Sequence, residues 1–238
     1  MAGRTTNDFP VQDIIEWDVL NWSRLMRYWQ PVLEQLPRDA KVLAIGERNG
    51  GISLWLALMG FHVTCTDITD VALSAGALHK KYNLTGLIDY RRFDIVNDAW
   101  QPEQFDVIIG KSVIGGVKPT RDRSSSRNFE ALEQAMHNIH RLLKPGGYFF
   151  SAENLEGSVF NRIARRRLKG GKGWYYLSLK ELDKLFTPFR LAQTKTFGIL
   201  PTFFSSKAVN LFMYFINRCL QPVLPKSSKY IAFTIAKK

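Results

Sequence analysis

Strands and helices alternate along the first two thirds of the chain, and this alternation constrains the fold more than any other feature. Short apolar runs predict strands, and helical periodicity predicts the helices between them. The predicted strands are residues 41–46, 62–67, 88–95, 105–111 and 148–154, and the predicted helices are 50–59, 71–82 and 129–143. Parallel strands need such crossover helices, which then cover both faces of the sheet. The sequence therefore predicts an α/β fold with a doubly wound, mostly parallel sheet.

The segments that flank this alternation complete the predicted architecture. A helical pattern runs from Trp17 to about Leu36, with a kink expected at Pro31. After residue 154 the pattern predicts a basic insertion at 162–176, a helix at 178–186 with Ser178 and Glu181 in a capping box, and strands at 189–200 and 230–238. Without an internal repeat or linker, we predict a single domain over 1–238, made of an N-terminal helical segment (1–38), a core (40–154) and a basic part (155–238).

The turn after the first strand reads Gly46-Glu47-Arg48-Asn49-Gly50-Gly51. Backbone amides at a helix N-terminus favour an anionic group there. A dinucleotide pyrophosphate needs the full G-x-G-x-x-G, and Arg48 stands at its second glycine. NAD and FAD are therefore disfavoured. S-adenosylmethionine (SAM) is favoured, because it places only a carboxylate and an amine at this turn.

Acidic residues follow the next two predicted strands. Asp67 ends the second strand, 21 residues after Gly46, where a carboxylate accepts hydrogen bonds from ribose hydroxyls. Asp94 lies in Phe93-Asp94-Ile95 after the third strand, where an acid and the adjacent backbone can bind an adenine edge. The glycine turn and these two acids, in this order, indicate an adenosine-containing cofactor at the carboxyl edge of the sheet.

The segment from about residue 40 to 154 resembles the class I SAM-dependent methyltransferases. The family pattern VLEIGxGxG, an acid ending the second strand, xFDVIIxxxVxxxV and LLKPGG occurs here in order, as VLAIGERNG, Asp67, QFDVIIGKSVIGGV and LLKPGG. The resemblance implies a Rossmann-like sheet of seven strands with the last strand antiparallel. It also implies SAM as the cofactor and methyl transfer as the reaction.

The resemblance further implies which residues meet the cofactor. Those at the methionine end are Gly46, Glu47 and Gly50, those at the ribose and adenine are Asp67, Ile68, Asp94 and Ile95, and those that line the pocket floor through their backbone are Lys111 and Ser112. Arg48 has two interpretations. Its guanidinium pairs with the SAM carboxylate or with an anionic acceptor, or it points into solvent from a loop whose backbone binds the cofactor.

Three positions depart from the family pattern. The acid on the first strand is Ala44, the second glycine of the turn is Arg48, and a common histidine after the fourth strand is Gly116. Because these changes fall around the cofactor, a degenerate scaffold that does not bind SAM stays open as an alternative.

A hydroxyl acceptor needs a base to remove its proton, whereas an amine or a carboxylate needs much less help. Glu153 ends the fifth strand at the ligand edge and is the candidate catalytic base, with Asp122 in the loop after the fourth strand as the second candidate. His137 and His140 lie three residues apart on a predicted helix, but no third ligand follows, and we predict no metal site.

Positive charge is concentrated in the last third of the chain. Residues 151–238 contain 16 lysines and arginines and 4 carboxylates, whereas residues 1–150 contain 17 of each. This asymmetry favours an anionic partner. We expect O-methylation of a cell-envelope glycan or of a lipid-linked or anionic acceptor, with a soluble metabolite as the alternative. A nucleic acid is not expected, because the Asn/Asp-Pro-Pro-aromatic type of motif that stabilises a flipped base is missing.

The segment 208–220 is apolar on nearly every side and is too short to span a bilayer. Two explanations stay open. Residues 204–229 contact a membrane surface, or the segment is buried against the N-terminal helix or in a homodimer. Two widely separated cysteines and an N-terminus without a signal-peptide pattern predict a cytoplasmic protein, located at the inner face of the membrane if the surface contact holds.

Overall fold

Seven strands form one sheet in the computed structural model, which describes residues 8–120, 125–167 and 174–238 and, for residues 164–167, the backbone alone. The strands are β1 (Val42–Ile45), β2 (Val63–Asp67), β3 (Ile88–Arg92), β4 (Phe105–Lys111), β5 (Leu143–Asn154), β6 (Leu191–Phe197) and β7 (Ile231–Lys237). Their order is β3-β2-β1-β4-β5-β7-β6, and β7 runs antiparallel to both of its neighbours while the other pairs are parallel. The predicted sheet with its antiparallel last strand is confirmed.

Helices cover both faces of this sheet. They are α1 (Val11–Ile15), α2 (Val19–Trp22), α3 (Arg24–Leu33), α4 (Gly51–Leu58), α5 (Val71–Lys81), α6 (Ser126–Leu142), α7 (Val159–Arg167), α8 (Leu179–Leu185) and α9 (Lys207–Leu220). Successive residues of a strand point to opposite faces. In β1, Val42 and Ala44 pack in one core cluster with α1 to α4, whereas Leu43 and Ile45 pack in another with α6 and α8.

The N-terminal segment differs from the prediction of one helix from Trp17 to Leu36. It forms three short helices, and α3 continues past Pro31 to Leu33. The break before α2 falls at Asp18, which has a left-handed backbone (φ 49°) and a buried side chain. The Asp18 carboxylate accepts hydrogen bonds from Thr202 and Tyr230. Thr202 and Tyr230, about 180 residues or more away in sequence, therefore stabilise the left-handed backbone at Asp18, which helical periodicity does not indicate.

After β5, the predicted helix and the two predicted strands occur in the predicted order as α8, β6 and β7, whereas α7 was not predicted. The capping box at the start of α8 is confirmed, since the Ser178 hydroxyl accepts from the Glu181 N–H and the Glu181 carboxylate accepts from the Ser178 N–H. Residues 168–173 of the predicted basic insertion lie outside the described residues. The division into segments 1–38, 40–154 and 155–238 stays a prediction. In the described ranges, no helix combines the length and the hydropathy that crossing a bilayer requires.

Candidate active site

A cleft of about 1170 Å³ opens at the carboxyl ends of β1, β2 and β4. The turns after these strands and residues 93–97 form one side of it. Residues 14–17, Trp174, Tyr176 and residues 201–203 belong to the rest of its lining. In a doubly wound sheet, ligands bind at this edge, where the direction of strand order reverses. Here β1 is that point, because β2 and β4 lie on its two sides.

The glycines of the first turn are required by close contacts. Gly46 has φ 65°, and a Cβ there would lie 2.6 Å from the Val113 side chain, while Gly50 has φ 77° and a Cβ there would lie 2.5 Å from His79. Both left-handed conformations favour glycine. Gly46 lines the cleft, as predicted, but Gly50 lies outside its lining, and its carbonyl is 2.8 Å from Nε2 of His79. Gly50 therefore shapes the turn, and the structure does not place it in reach of a ligand in the cleft.

Glu47 and Arg48 follow Gly46 and differ sharply in exposure. The Glu47 side chain is buried, its Oε2 accepts from the Ser53 N–H at 2.8 Å, and burial raises its pKa to about 7. The Arg48 side chain is 73% exposed and lies 3.7 Å from the Glu16 carboxylate. Of the two interpretations of Arg48, this geometry favours a solvent-directed guanidinium. Its backbone N–H donates to Asp67 at 3.0 Å and thereby ties the turn to β2.

Asp67 and Ile68 line the cleft at the end of β2, as predicted. Oδ1 of Asp67 accepts from both the N–H and the hydroxyl of Thr69, and Oδ2 accepts from the Arg48 N–H. An ionised carboxylate has about four acceptor positions. One position on Oδ2 is therefore left for a hydroxyl in the cleft.

Asp94 and Ile95 line the next part of the cleft. The Asp94 carboxylate accepts from the Val96 N–H at 2.9 Å and from the Asn97 side chain at 2.8 Å, so it closes the turn that follows β3. Ile95 is almost completely buried and contributes an apolar surface. The predicted adenine contact at this turn stays a prediction.

Lys111 reaches the cleft through its side chain and not only through its backbone. Its ammonium donates to the Ile15 carbonyl at 3.3 Å and lies 5.3 Å from the centre of the Trp17 ring. Burial lowers the pKa of this ammonium. Ser112 follows with φ 57°, and its hydroxyl accepts from the Asn154 amide at 3.0 Å. Since Glu47 and Glu16 lie near Lys111, this end of the cleft presents both charges to a zwitterionic amino acid group.

Glu153 does not face the cleft, although the sequence placed it at the ligand edge. Its carboxylate is buried and accepts three backbone hydrogen bonds at 2.9–3.2 Å, from Val113, Ile114 and Gly115. Burial raises the pKa of this carboxyl to about 7. The placement argues against the predicted role as catalytic base and makes Glu153 the anchor of the loop after β4. Asp122, the second candidate, lies outside the described residues.

Part of the cleft lining comes from residues that the sequence did not single out individually. They are Trp17, Asn161, Trp174, Tyr176, Phe203 and Tyr230. Trp174 and Tyr176 belong to the predicted basic insertion at 162–176, and Asn161 directly precedes it. The others come from segments that are distant in sequence, and no local motif marks them.

Trp174 explains one departure from the family pattern. Its ring lies against Gly115 and Gly116, and a Cβ on Gly116 would come within 3.0 Å of the ring. A histidine at position 116 would occupy the space that Trp174 fills. The indole N–H of Trp174 is buried and has no hydrogen-bond partner among the described residues.

The two histidines considered for a metal site differ in their surroundings, because His137 is exposed. His140 packs edge-on against Phe189, with ring centres 5.3 Å apart. In the part of the chain that the structure describes, no group of three His, Cys, Asp or Glu side chains could hold a metal ion.

Comparisons with known proteins agree with this geometry. A family model described as "Methyltransferase domain" matches residues 43–151. Human EEF1A lysine methyltransferase 2 is 30% identical over 129 residues, which cover 53% of this chain and 52% of that protein. A highly reducing polyketide synthase, acrA, from Aspergillus aculeatus is 30% identical over 172 residues, which cover 66% of this chain and 6% of that protein. The chain thus spans about half of the first relative and a small part of the second.

A solved structure of phosphoethanolamine N-methyltransferase 2 from Haemonchus contortus, in complex with SAM, has the same fold. It superimposes with a TM-score of 0.64 and 15% identity, covering 100% of this chain and 60% of that chain. At this identity the likeness establishes the fold alone.

The residues of the cleft fit SAM. Gly46 keeps the turn open, Asp67 has an acceptor position for a ribose hydroxyl, and Glu47 and Lys111 supply opposite charges at the methionine end. Motifs, sheet order, cleft and family match all agree, and the chain carries a SAM-dependent methyltransferase domain with the class I fold, matched over residues 43–151.

Proposed function

We propose that this methyltransferase acts on an ionised oxygen of an anionic acceptor, carried by a lipid or a cell-envelope glycan. Bound SAM supplies an electrophilic methyl group. The observation that supports this acceptor is the distribution of carboxylates in the cleft. Those among the described lining residues are Glu16, Glu47, Asp67 and Asp94. Glu16 lies 3.7 Å from Arg48, and the other three belong to the predicted cofactor site. We assign the rest of the lining to the acceptor and call it the acceptor half.

The acceptor half therefore lacks an obvious general base within the described ranges. A neutral hydroxyl would need a base, whose loss typically costs about 10²–10⁴ in rate. An oxygen that is already ionised at neutral pH, as in a carboxylate, attacks without proton transfer. The remaining contribution of the protein is to hold this oxygen in line with the methyl group.

The groups that line the acceptor half suit an anion. The Trp174 indole N–H is a buried donor without a partner among the described residues, and a buried donor gains most from a charged acceptor. Asn154 also lines the cleft, and its side-chain nitrogen, which donates one hydrogen to Ser112, has a second hydrogen to donate. The positive charge of residues 151–238 favours an anionic partner.

An amine acceptor is the second candidate, and the names of the relatives favour it. The human relative is named as a lysine methyltransferase and the nematode structure as a phosphoethanolamine N-methyltransferase. The rings of Trp17, Trp174 and Tyr176 could also contact a cation. The basic charge of the last third opposes a cationic amine, unless that amine also carries a phosphate.

Methyl-labelled SAM separates these candidates. The purified chain is incubated with labelled SAM and either a cell-envelope extract or a soluble metabolite extract. We expect label in the lipid or glycan fraction, and we expect mild alkali to release it as methanol, because methyl esters hydrolyse while ethers and methylamines do not. Asp67→Ala, which leaves the acceptor half intact, is the matched blank.

The other outcomes are equally informative. Alkali-stable label on an amine would select the second candidate, and label confined to the soluble extract would overturn a lipid or glycan carrier. Absence of label together with absence of SAM binding would indicate a degenerate scaffold.

A further inference from the structure

Helix α9 has the opposite polarity to an ordinary surface helix. Leu211, Phe212 and Phe215 are 51%, 60% and 65% exposed, whereas the one fully buried residue of the helix is Asn217. A helix on the surface of a soluble protein normally turns its apolar stripe inward and its polar face to water. Residues 208, 211, 212, 215 and 219 follow helical spacing and form the outward face of α9.

Polar contacts fix α9 in this orientation. Oδ1 of Asn217 accepts from the N–H groups of Ile199 and Leu200 at 3.1 and 2.8 Å. Its amide nitrogen donates to the Leu200 carbonyl at 2.7 Å and to Asn21 at 3.1 Å. Turning the apolar face inward would break all four hydrogen bonds. The outward position of Phe212 and Phe215 therefore belongs to the folded state.

The apolar surface continues beyond α9 to the mouth of the cleft. Phe203 and Phe204 precede the helix, are 56% and 45% exposed, and stack with ring centres 6.2 Å apart. Phe203 also lines the cleft. We call Phe203, Phe204, Leu211, Phe212 and Phe215 the docking face. Exposed Val159, Phe160 and Ile163 on α7 lie on a helix tied to the same loop, because Asn161 donates to the Ile199 carbonyl at 3.2 Å.

The positive charge around the docking face favours an anionic partner. No carboxylate side chain follows Asp183 in the sequence, whereas nine lysines and arginines do, among them the exposed Lys207, Arg218 and Lys226. In a twofold-symmetric dimer, the docking face of one copy would contact the same face of the other copy. The basic residues of the two copies would then lie close together, and the segment after Asp183 has no carboxylate side chain to neutralise them. Anionic lipid headgroups supply that missing negative charge.

We propose that the docking face inserts into the headgroup region of an anionic lipid bilayer, with α9 lying in the plane of the membrane. An interfacial helix of this kind buries its apolar residues at the acyl boundary while basic residues contact the headgroups. The insertion turns the mouth of the cleft toward the membrane, because Phe203 belongs to both. This inference goes beyond the proposed acceptor and is tested without it.

Vesicle flotation tests the proposal with the full chain and with neither SAM nor acceptor present. Vesicles of phosphatidylcholine alone are compared with vesicles of phosphatidylcholine and phosphatidylglycerol at low salt. We expect binding to the anionic vesicles that is about tenfold stronger or more, and that weakens as salt is added. The double variant Phe212→Ser with Phe215→Ser should weaken binding by about tenfold or more, since two aromatic rings no longer leave water.

Two further variants make the test specific. Leu73→Ser on α5 removes a side chain that is 82% exposed outside the docking face, and it should bind vesicles like the wild type. Charge reversal by Lys207→Glu with Arg218→Glu should abolish the preference for phosphatidylglycerol. Each variant is first shown to retain its thermal unfolding transition and its SAM affinity.

The proposal is wrong if the wild type ignores anionic vesicles at low salt, or if the folded phenylalanine double variant binds them unchanged. A dimer in size-exclusion chromatography that this double variant converts to a monomer, together with absence of vesicle binding, would assign the surface to a second copy. Each of these outcomes can be interpreted even if the methyl-transfer assay fails, because vesicle binding is measured with neither SAM nor acceptor present.

Discussion

Asp67 shows how one side chain connects the fold to the cofactor. Its carboxylate is hydrogen-bonded to the turn after β1 and to the start of its own loop, and the remaining acceptor position faces the cleft. The sequence predicted this residue because its position at the end of the second strand is set by the topology of the sheet.

Replacing Asp67 with Ala should weaken SAM binding by about 1–3 kcal/mol, because a hydrogen-bonded ribose hydroxyl loses its acceptor. This corresponds to about fivefold to 150-fold in Kd, measured by calorimetry with SAM and with its demethylated product. Asp89→Ala, an exposed carboxylate on β3 outside the cleft lining, is the control and should bind like the wild type. Equal effects of the two variants would show that Asp67 does not contact the cofactor.

Glu153 was predicted from the same topology but for a different role. Replacing it with Gln should lower turnover by less than about tenfold, because the carboxylate holds the loop 113–115 and does not face the cleft. Loss of a general base would instead cost about 10²–10⁴. Single-turnover rates at saturating SAM distinguish these results, and a loss in the larger range would restore Glu153 as the base.

The same variant has a second readout in the pH dependence of stability. Burial raises the pKa of Glu153 from 4.5 to about 7, so between these values the folded chain holds a proton that the unfolded chain has lost. The stability that comes from this raised pKa is fully present below about pH 4.5 and is lost as the pH rises through about 7. Denaturant unfolding of Glu153→Gln should show a shallower fall in stability over this range. An unchanged slope would contradict the assignment.

At the scale of elements, the apolar segment 208–220 is helix α9, which begins one residue earlier, and the rotation of this helix was not predicted. The sequence shows a helix that is apolar on most sides, and it does not show that Asn217 is the residue turned inward. That orientation depends on the backbone of residues 199 and 200, which a local pattern cannot place.

Asn217→Ala should destabilise the protein by about 1–3 kcal/mol, because it leaves the buried N–H groups of Ile199 and Leu200 without their acceptor. Asn210→Ala on the same helix is the matched control. Asn210 bonds only exposed backbone atoms of Phe204, and its loss should cost less. Denaturant unfolding midpoints compare the stability of the two variants. Equal losses of stability would mean that the hydrogen bonds of Asn217 contribute little to it.

At the scale of the molecule, the sheet and the cofactor half of the cleft could be predicted, and the acceptor half could not. The parallel strands and the glycine turn follow from patterns within about 115 residues, which is the span of the recognisable motifs. The acceptor half joins Trp17, Trp174, Phe203 and Tyr230, which meet only because the last strands return beside β5. Such long-range contacts leave no periodicity and no motif in a single sequence.

The buried contact between Asp18 and Tyr230 also bears on the order in which a ribosome-bound chain can fold. Asp18 is synthesised early and Tyr230 near the end, and they are hydrogen-bonded to each other in the finished protein. Until residues 202 and 230 emerge, the Asp18 carboxylate lacks the hydrogen bonds from Thr202 and Tyr230 that offset its burial. A nascent chain can therefore form β1 to β4 with their cofactor turns while its first helices stay undocked. The part of the cleft lining that contains Phe203 and Tyr230 closes only when translation of the last strand has begun.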